Sequence, residues 1–225
     1  MDVLVDLIPL MLGAALAPIY PVVVLLLLQG AGGLGKASAF VMGAVFVRVV
    51  QGIVFGFIFR PAVDAEAAAG LAYIGPTLIT LIGVLLLIAA FKKWRKPADP
   101  DAPPPAWMSA LSGLSAFKAA GAGALFVAVA VKQWVFTLAA IAVVEEAQPG
   151  LSLGVGLYLL FLLATQAPVL LPLLAFAVAP ARSAQPLAAA HGWLVRHNRV
   201  IAMIVSLVFG LWFLYKGVTG LLIVG

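Results

Sequence analysis

Six long apolar stretches run along the chain, at about 3–28, 37–59, 71–91, 116–144, 151–179 and 200–224. Each is close to or longer than the roughly 20 residues that carry an α-helix across a bilayer. The punctuation between them is polar or helix-breaking. The first stretch ends in QGAGGLGK, the second is closed by Arg60-Pro61, the third stops at KKWRKPADPDAPPP, and the fourth ends at Glu145-Glu146 and Pro149-Gly150. The pattern predicts an all-α integral membrane protein with six transmembrane helices. Pro97, Pro100, Pro103, Pro104 and Pro105 make the central connector extended and hydrated. It divides a single membrane domain, 1–225, into a first three-helix unit (1–95), a Pro-rich connector (96–112) and a second three-helix unit (113–225). Residues 182–199, RSAQPLAAAHGWLVRHNR, are too polar to span. They read as a short helix near 184–197 on the membrane surface, with Pro186 in its first turn, or as a plain basic connector.

The first stretch contains LAPIYPVVVLLLL, with Pro18 and Pro21 in the middle of a run long enough to cross the bilayer. Proline removes a backbone donor and clashes with the carbonyl four residues earlier, so the helix is expected to break there. A carbonyl freed at membrane depth must be satisfied by protein or water, and broken helices therefore tend to line cavities. The competing reading is a structural kink, since proline is common in membrane helices. Pro168 and Pro172, in QAPVLLP, are expected to break span five in the matching place of the second half.

Charge fixes an orientation. With six spans, the loops after spans one, three and five share a face. They hold Lys36, Lys92, Lys93, Arg95, Lys96, Lys118, Arg182, Arg196 and Arg199. The other face holds Asp2, Asp6, Arg60, Asp64, Glu66, Glu145 and Glu146. The positive-inside rule makes the basic face cytoplasmic, with both termini outside. Three spans per half means that a repeat is inverted. GVLLLIAAFKKW in span three and GLWFLYKGVTG in span six share a Gly, an apolar run and a terminal Lys. Two inverted three-helix repeats are the expected fold.

Composition agrees and excludes other classes. Hydrophobic residues make up 65% of the chain and charged residues 9%, against about 25% charged in soluble domains. There is no cysteine, so thiol redox chemistry and thiolate metal sites are out, and the two histidines, His191 and His197, lie in the polar connecting segment. The N-terminus lacks a charged n-region and a small-residue cleavage site, so residues from 4 onward read as a span and not a signal peptide. No nucleophile–base pair, cofactor motif or metal cluster is evident; the chain is read as a non-enzyme without cofactor or metal.

Two cations stand where charge is expensive. Arg48 is in the middle of GAVFVRVVQGIVFG and Lys132 in the middle of ALFVAVAVKQWVFTLA. A cation at the bilayer centre costs at least about 2.5–3.5 kcal/mol. No Asp or Glu accompanies either at depth, so the partner is backbone carbonyl, water or an anionic ligand. Arg48 presents a donor fork suited to phosphate, sulfate or carboxylate, and Gln51 follows on the same helical face. Span five carries Thr165 and Gln166. The candidate substrate-binding residues are Arg48, Lys132, Gln51 and Gln166, framed by helix breaks at Pro18, Pro21, Pro168 and Pro172. Snorkelling to the interface is the alternative for either cation.

Three stretches carry a family likeness: FVMGAVFVRVVQG, LSGLSAFKAAGAGALFVAVAVKQWVFTLAAIA and WLVRHNRVIAMIVSLVFGLWFLYKGV. The chain resembles the LysE superfamily of six-span exporters, closest to its peptidoglycolipid- and sulfolipid-addressing (GAP/Sap) family. The resemblance implies export of a lipid-linked or glycolipid substrate, often beside a larger transporter. Span four departs from it, reading VAVAVKQWVF where a proline-bearing turn is expected before Lys132.

The leading expectation is a transporter that exports or translocates an anionic lipid-linked or glycolipid substrate. The alternatives are an exporter of a small soluble metabolite such as an amino acid, and a non-transporting accessory subunit of a larger lipid exporter. A lipid carrier needs a groove open sideways to the bilayer; a metabolite exporter needs an enclosed aqueous pocket. Expected partners are the lipid bilayer, the anionic lipid or glycolipid, and a larger lipid transporter or a second copy of the chain; nucleic acid is not among them.

Overall fold

A computed structural model of the chain describes residues 3–59, 73–95, 110–111 and 113–224. Nearly all of the Pro-rich connector, and with it Asp2, Arg60, Asp64, Glu66 and Lys96, lies outside the described residues. Those described are helical, with no strand among them. In chain order the helices are α1 (Val3–Ala15), α2 (Ile19–Leu28), α3 (Gly33–Phe59), α4 (Ile74–Arg95), α5 (Ala116–Val129), α6 (Val131–Glu146), α7 (Leu151–Val178) and α8 (Pro180–Val224). Four of them, α3, α4, α7 and α8, are each long and apolar enough to cross a membrane. The pairs α1–α2 and α5–α6 pass the same test as bent units, with angles of 53° and 70°. Counting each pair as one span gives six.

The first bend falls at Pro18. That residue has no N–H to return to Ala14, so α1 stops at Ala15 and the chain restarts through Tyr20 N–H to Ala17 O (3.3 Å) and Val22 N–H to Pro18 O (3.1 Å). Pro21 sits in the first turn of α2, where a missing N–H deprives no carbonyl of α2 itself. The second bend has no proline. Ala130 leaves helical geometry (φ −82°, ψ 87°), Gln133 N–H closes back on Ala130 O (2.8 Å), and the Trp134 indole N–H donates to Ala128 O at 2.7 Å. The indole thus takes a carbonyl that the bend frees.

Two expectations change. Span five is one helix, with Pro168 and Pro172 inside it. The prolines are four residues apart, so the donor missing at Pro172 is the one Pro168 O would have received. Only the carbonyls of Ala164 and Pro168 lose partners, and the helix runs on. Second, residues 184–197 are helical but form no separate surface element. They are continuous with span six in α8, whose first residue is Pro180, at the position where proline is best tolerated. Nothing in HGWLVRHNRVIAM interrupts a helix, and 45 residues make α8 about 67 Å long at 1.5 Å per residue. That is more than twice the roughly 30 Å hydrocarbon thickness.

The bundle has two apolar cores. Leu7 and Leu10 of α1, Ile82 of α4, Phe136 of α6, Phe161 of α7 and Phe213 of α8 meet in one. Val23 and Val24 of α2, Phe40 of α3, Val127 of α5 and Val169 of α7 meet in the other. Each bent span therefore sends one half to each core. Between helices the contacts depend on small residues. A Cβ on Gly43 would meet the carbonyl of Ala120, and one on Gly123 the carbonyl of Phe40, so α3 and α5 touch backbone to backbone. Gly83 of α4 and Gly210 of α8 make the same approach, and Gly217 lies against Thr80. Arg199 caps the end of α4, donating from Nε and Nη2 to Lys93 O at 3.1 and 2.8 Å. The start of α1 and the end of α8 are joined by an ion pair between Asp6 and Lys216.

Gly123→Leu is expected to destabilise by about 3 kcal/mol or more, because the obstacle is backbone that has no rotamer to yield. Gly121→Leu, where a Cβ meets nothing within 4 Å, is the control. Thermal unfolding of the two variants in detergent checks the difference.

Candidate functional site

Arg48 lies in the middle of α3 and is 1% exposed, the largest of the fully buried side chains. Its Nη2 donates to Gln133 Oε1 at 2.7 Å and its Nη1 to Thr165 Oγ1 at 3.4 Å. Gln133 stands in the first turn of α6, just past the bend at Ala130, and its Nε2 donates to Ala14 O at 3.4 Å. Ala14 O is the carbonyl that Pro18 leaves without its helical donor. One amide therefore connects the buried cation to the break in the first span. Thr165 passes its own proton to Leu162 O, at 2.9 Å, and so presents a lone pair to the guanidinium.

The charge itself is not neutralised. Among the described residues no carboxylate pairs with Arg48, whose side-chain partners are the neutral Gln133 and Thr165. Arg48 Nε and both polar atoms of the Gln51 side chain, itself 3% exposed, have no hydrogen-bond partner there. Gln166 is buried next to Thr165 on α7, and Thr137 Oγ1 on α6 is buried without a partner. Lys132 does not join the Arg48 network. Consecutive helical residues point about 100° apart, and while Gln133 faces Arg48, the Lys132 ammonium lies 5.6 Å from the centre of the Phe136 ring. Of the expected set, Arg48 and Gln51 share one buried region, with Pro18 acting on it through Ala14. Pro21, Pro168 and Pro172 are helical positions.

Next to this region a cavity of about 530 Å³ opens between α3, the end of α6 and the start of α7. Its walls include Val49, Ile53, Phe57, Val155, Leu159 and Leu162; Glu145, Gln148 and Tyr158 supply polar groups. Ile53, Phe57, Val155 and Leu159 are also exposed on the outside of the bundle, so the cavity is a groove in the side of the protein. Glycines give it room. A Cβ on Gly56 would meet only Glu145 Oε1, at 3.9 Å. Tyr158 closes the inner end, donating from its hydroxyl to Arg48 O at 2.6 Å. Its ring rests on Gly52, where a Cβ would collide with it.

A family model described as Sap, sulfolipid-1-addressing protein, matches residues 7–219. The chain belongs to this family. The match covers both bent spans, the Arg48 network and the groove, so these are features of a Sap-family chain and not of an appended segment. No curated protein and no solved structure matches the chain.

Three residues of this Sap-family site escaped the sequence reading. Gln133 was hidden beside Lys132, whose charge drew the attention, although an amide following a helix break is a natural cap for a freed carbonyl. Thr165 stood out only as a polar residue beside Gln166, and nothing in the apolar run of span five marks Tyr158. Their meaning comes from pairings 110 and 117 residues apart along the chain with Arg48, and 119 apart between Gln133 and Ala14.

Removing one partner of a buried cation and removing the cation should differ in effect. Gln133→Leu is expected to destabilise by about 1.5–3 kcal/mol, the worth of a hydrogen bond to a charged group. Arg48→Met is expected to leave stability equal or higher, since an apolar side chain escapes the desolvation penalty. Unfolding of both variants in detergent tests this; a large loss in Arg48→Met makes the guanidinium a structural clamp.

Proposed function

We propose that this Sap-family protein translocates an amphiphile with an anionic head, such as a phospho- or sulfo-glycolipid, across the bacterial cytoplasmic membrane as a transporter and not as an enzyme. The observation that carries the reading is the groove. Apolar walls open sideways suit an acyl chain that remains in the lipid phase while its head moves through protein. An enclosed polar pocket, which a soluble metabolite requires, is a different shape. The polar destination for the head is Arg48, whose backbone carbonyl accepts from the Tyr158 hydroxyl, with Gln51 and Gln166 as further buried donors and acceptors. Gln133, which follows the second helix break, holds the guanidinium in place there.

Two inverted repeats fit this mechanism, and the packing supports them. Exchanging α1 with α5, α2 with α6, α3 with α7 and α4 with α8 maps the two bent spans onto each other. It turns the contact of α2 with α7 into that of α6 with α3, and the contact of α2 with α8 into that of α6 with α4. It also exchanges the core membership of the bent-span halves, because α1 and α6 belong to one core and α5 and α2 to the other, while α4 and α8 both stay in the first. A carrier built this way alternates by rocking one half against the other around a central site. The basic loops are then cytoplasmic and both termini outside, and a larger lipid transporter or a second copy of the chain would receive the cargo.

Purified protein reconstituted alone in liposomes with a labelled sulfated or phosphorylated amphiphile is expected to move the label between leaflets. Gly56→Phe, which fills the groove without a backbone clash, should slow this at least about tenfold with little change in unfolding temperature. An inactive wild-type protein in liposomes favours the accessory-subunit reading. Transport of a free amino acid, unaffected by Gly56→Phe, favours the metabolite exporter.

The natural chain lacks cysteine, so single-cysteine variants report sidedness cleanly. With an impermeant maleimide, Lys118→Cys is expected to label only from the cytoplasmic side and Gln148→Cys only from outside; the reverse result inverts the topology.

A further inference from the structure

The geometry points to a binding site for a small inorganic anion, a halide or nitrate, between the Arg48 and Gln51 side chains inside the bundle. Three observations carry it. First, Arg48 is 1% exposed and its guanidinium has only neutral side-chain partners among the described residues, Gln133 and Thr165. Second, two sets of buried donors at this depth have no protein acceptor among the described residues: Arg48 Nε–H and the Gln51 Nε2 amide. Third, these residues are i and i+3 on α3, so their side chains leave the same face of the helix as neighbours. A guanidinium edge beside an amide N–H₂ is a donor pair for one compact anion. Such an ion satisfies both donors and neutralises the charge at once, which neither a water molecule nor Gln133 does.

The inference rests on the proposed function only for its consequence. If an anionic head travels to Arg48, it displaces the small ion, and transport becomes an exchange of one anion for another. The resting carrier is then never left with a bare buried cation, and the anion gradient has a direct hold on the cycle. The site itself stands on Arg48 and Gln51 whether or not the protein carries lipid.

The test is thermal unfolding of the full-length protein in detergent, followed by tryptophan fluorescence, with sodium chloride, bromide or nitrate replacing sodium gluconate at constant ionic strength. The small anions are expected to raise the unfolding temperature saturably, and gluconate, too large to enter, is expected to have no effect. Gln51→Leu keeps the cation and removes one donor set, and it should weaken the half-saturating anion concentration about tenfold or more. Arg48→Gln should abolish the dependence. Equal unfolding temperatures in chloride and gluconate overturn the site, as does an anion effect unchanged in Gln51→Leu. Saturable anion binding in a protein that moves no amphiphile in liposomes leaves the site standing and removes the transport reading. Amphiphile transport indifferent to chloride on either side keeps transport and removes the exchange.

Discussion

A guanidinium enclosed among apolar helices, with no carboxylate paired to it among the described residues, is the constraint that gives this protein its internal logic. A cation in such surroundings is tolerated only where dipoles are brought to it. The chain meets that demand with an amide from α6 and a hydroxyl from α7, both delivered to α3. The same amide also reaches the carbonyl that Pro18 sets free in α1. Two defects that would each be costly alone, a buried charge and a broken helix, are placed so that one glutamine serves both. The helix packing follows from this: α3, α6 and α7 must come close enough for short polar side chains to touch, and the glycines of the bundle permit that closeness.

Much of the architecture was legible because bilayer physics is so restrictive. The long apolar helices, the break at Pro18 and the mid-helix position of Arg48 follow from run lengths, proline chemistry and hydropathy alone. The inaccurate expectations share a cause, which is that the identity of a residue says less than what its neighbours supply. Pro168 and Pro172 did not break α7, while the Pro-free segment around Ala130 bent by 70°, its freed carbonyl taken by the Trp134 indole. A proline advertises a missing donor; an indole six residues downstream advertises nothing. Residues 182–199 looked too polar to belong to a span, yet helicity does not require a membrane, and α8 simply continues through them.

The candidate site was legible in part for the same reason. Arg48 and Gln51 stood out as polar residues in an apolar run, and their burial follows. Lys132 stood out equally and faces an aromatic ring instead. Helical phase separates it from Gln133 by one residue, and only the orientation of α6 after the bend decides which of the two meets Arg48. The groove had no sequence signature, being a product of Gly52, Gly56 and Gly154 on helices that come together from distant parts of the chain.

The ion pair between Asp6 and Lys216 has a consequence for how the molecule is made. Helix α1 holds a carboxylate whose counter-charge is synthesised 210 residues later. Until then α1 also lacks the aromatic wall of Phe209 and Phe213 against which it finally packs. Helices α6 and α7, made earlier, cover one side of α1, but its seam against α8 closes only when that helix arrives, like a ring fastened at the clasp. Closure of this seam waits for α8, and a chain stopped before that helix leaves α1 with an open side.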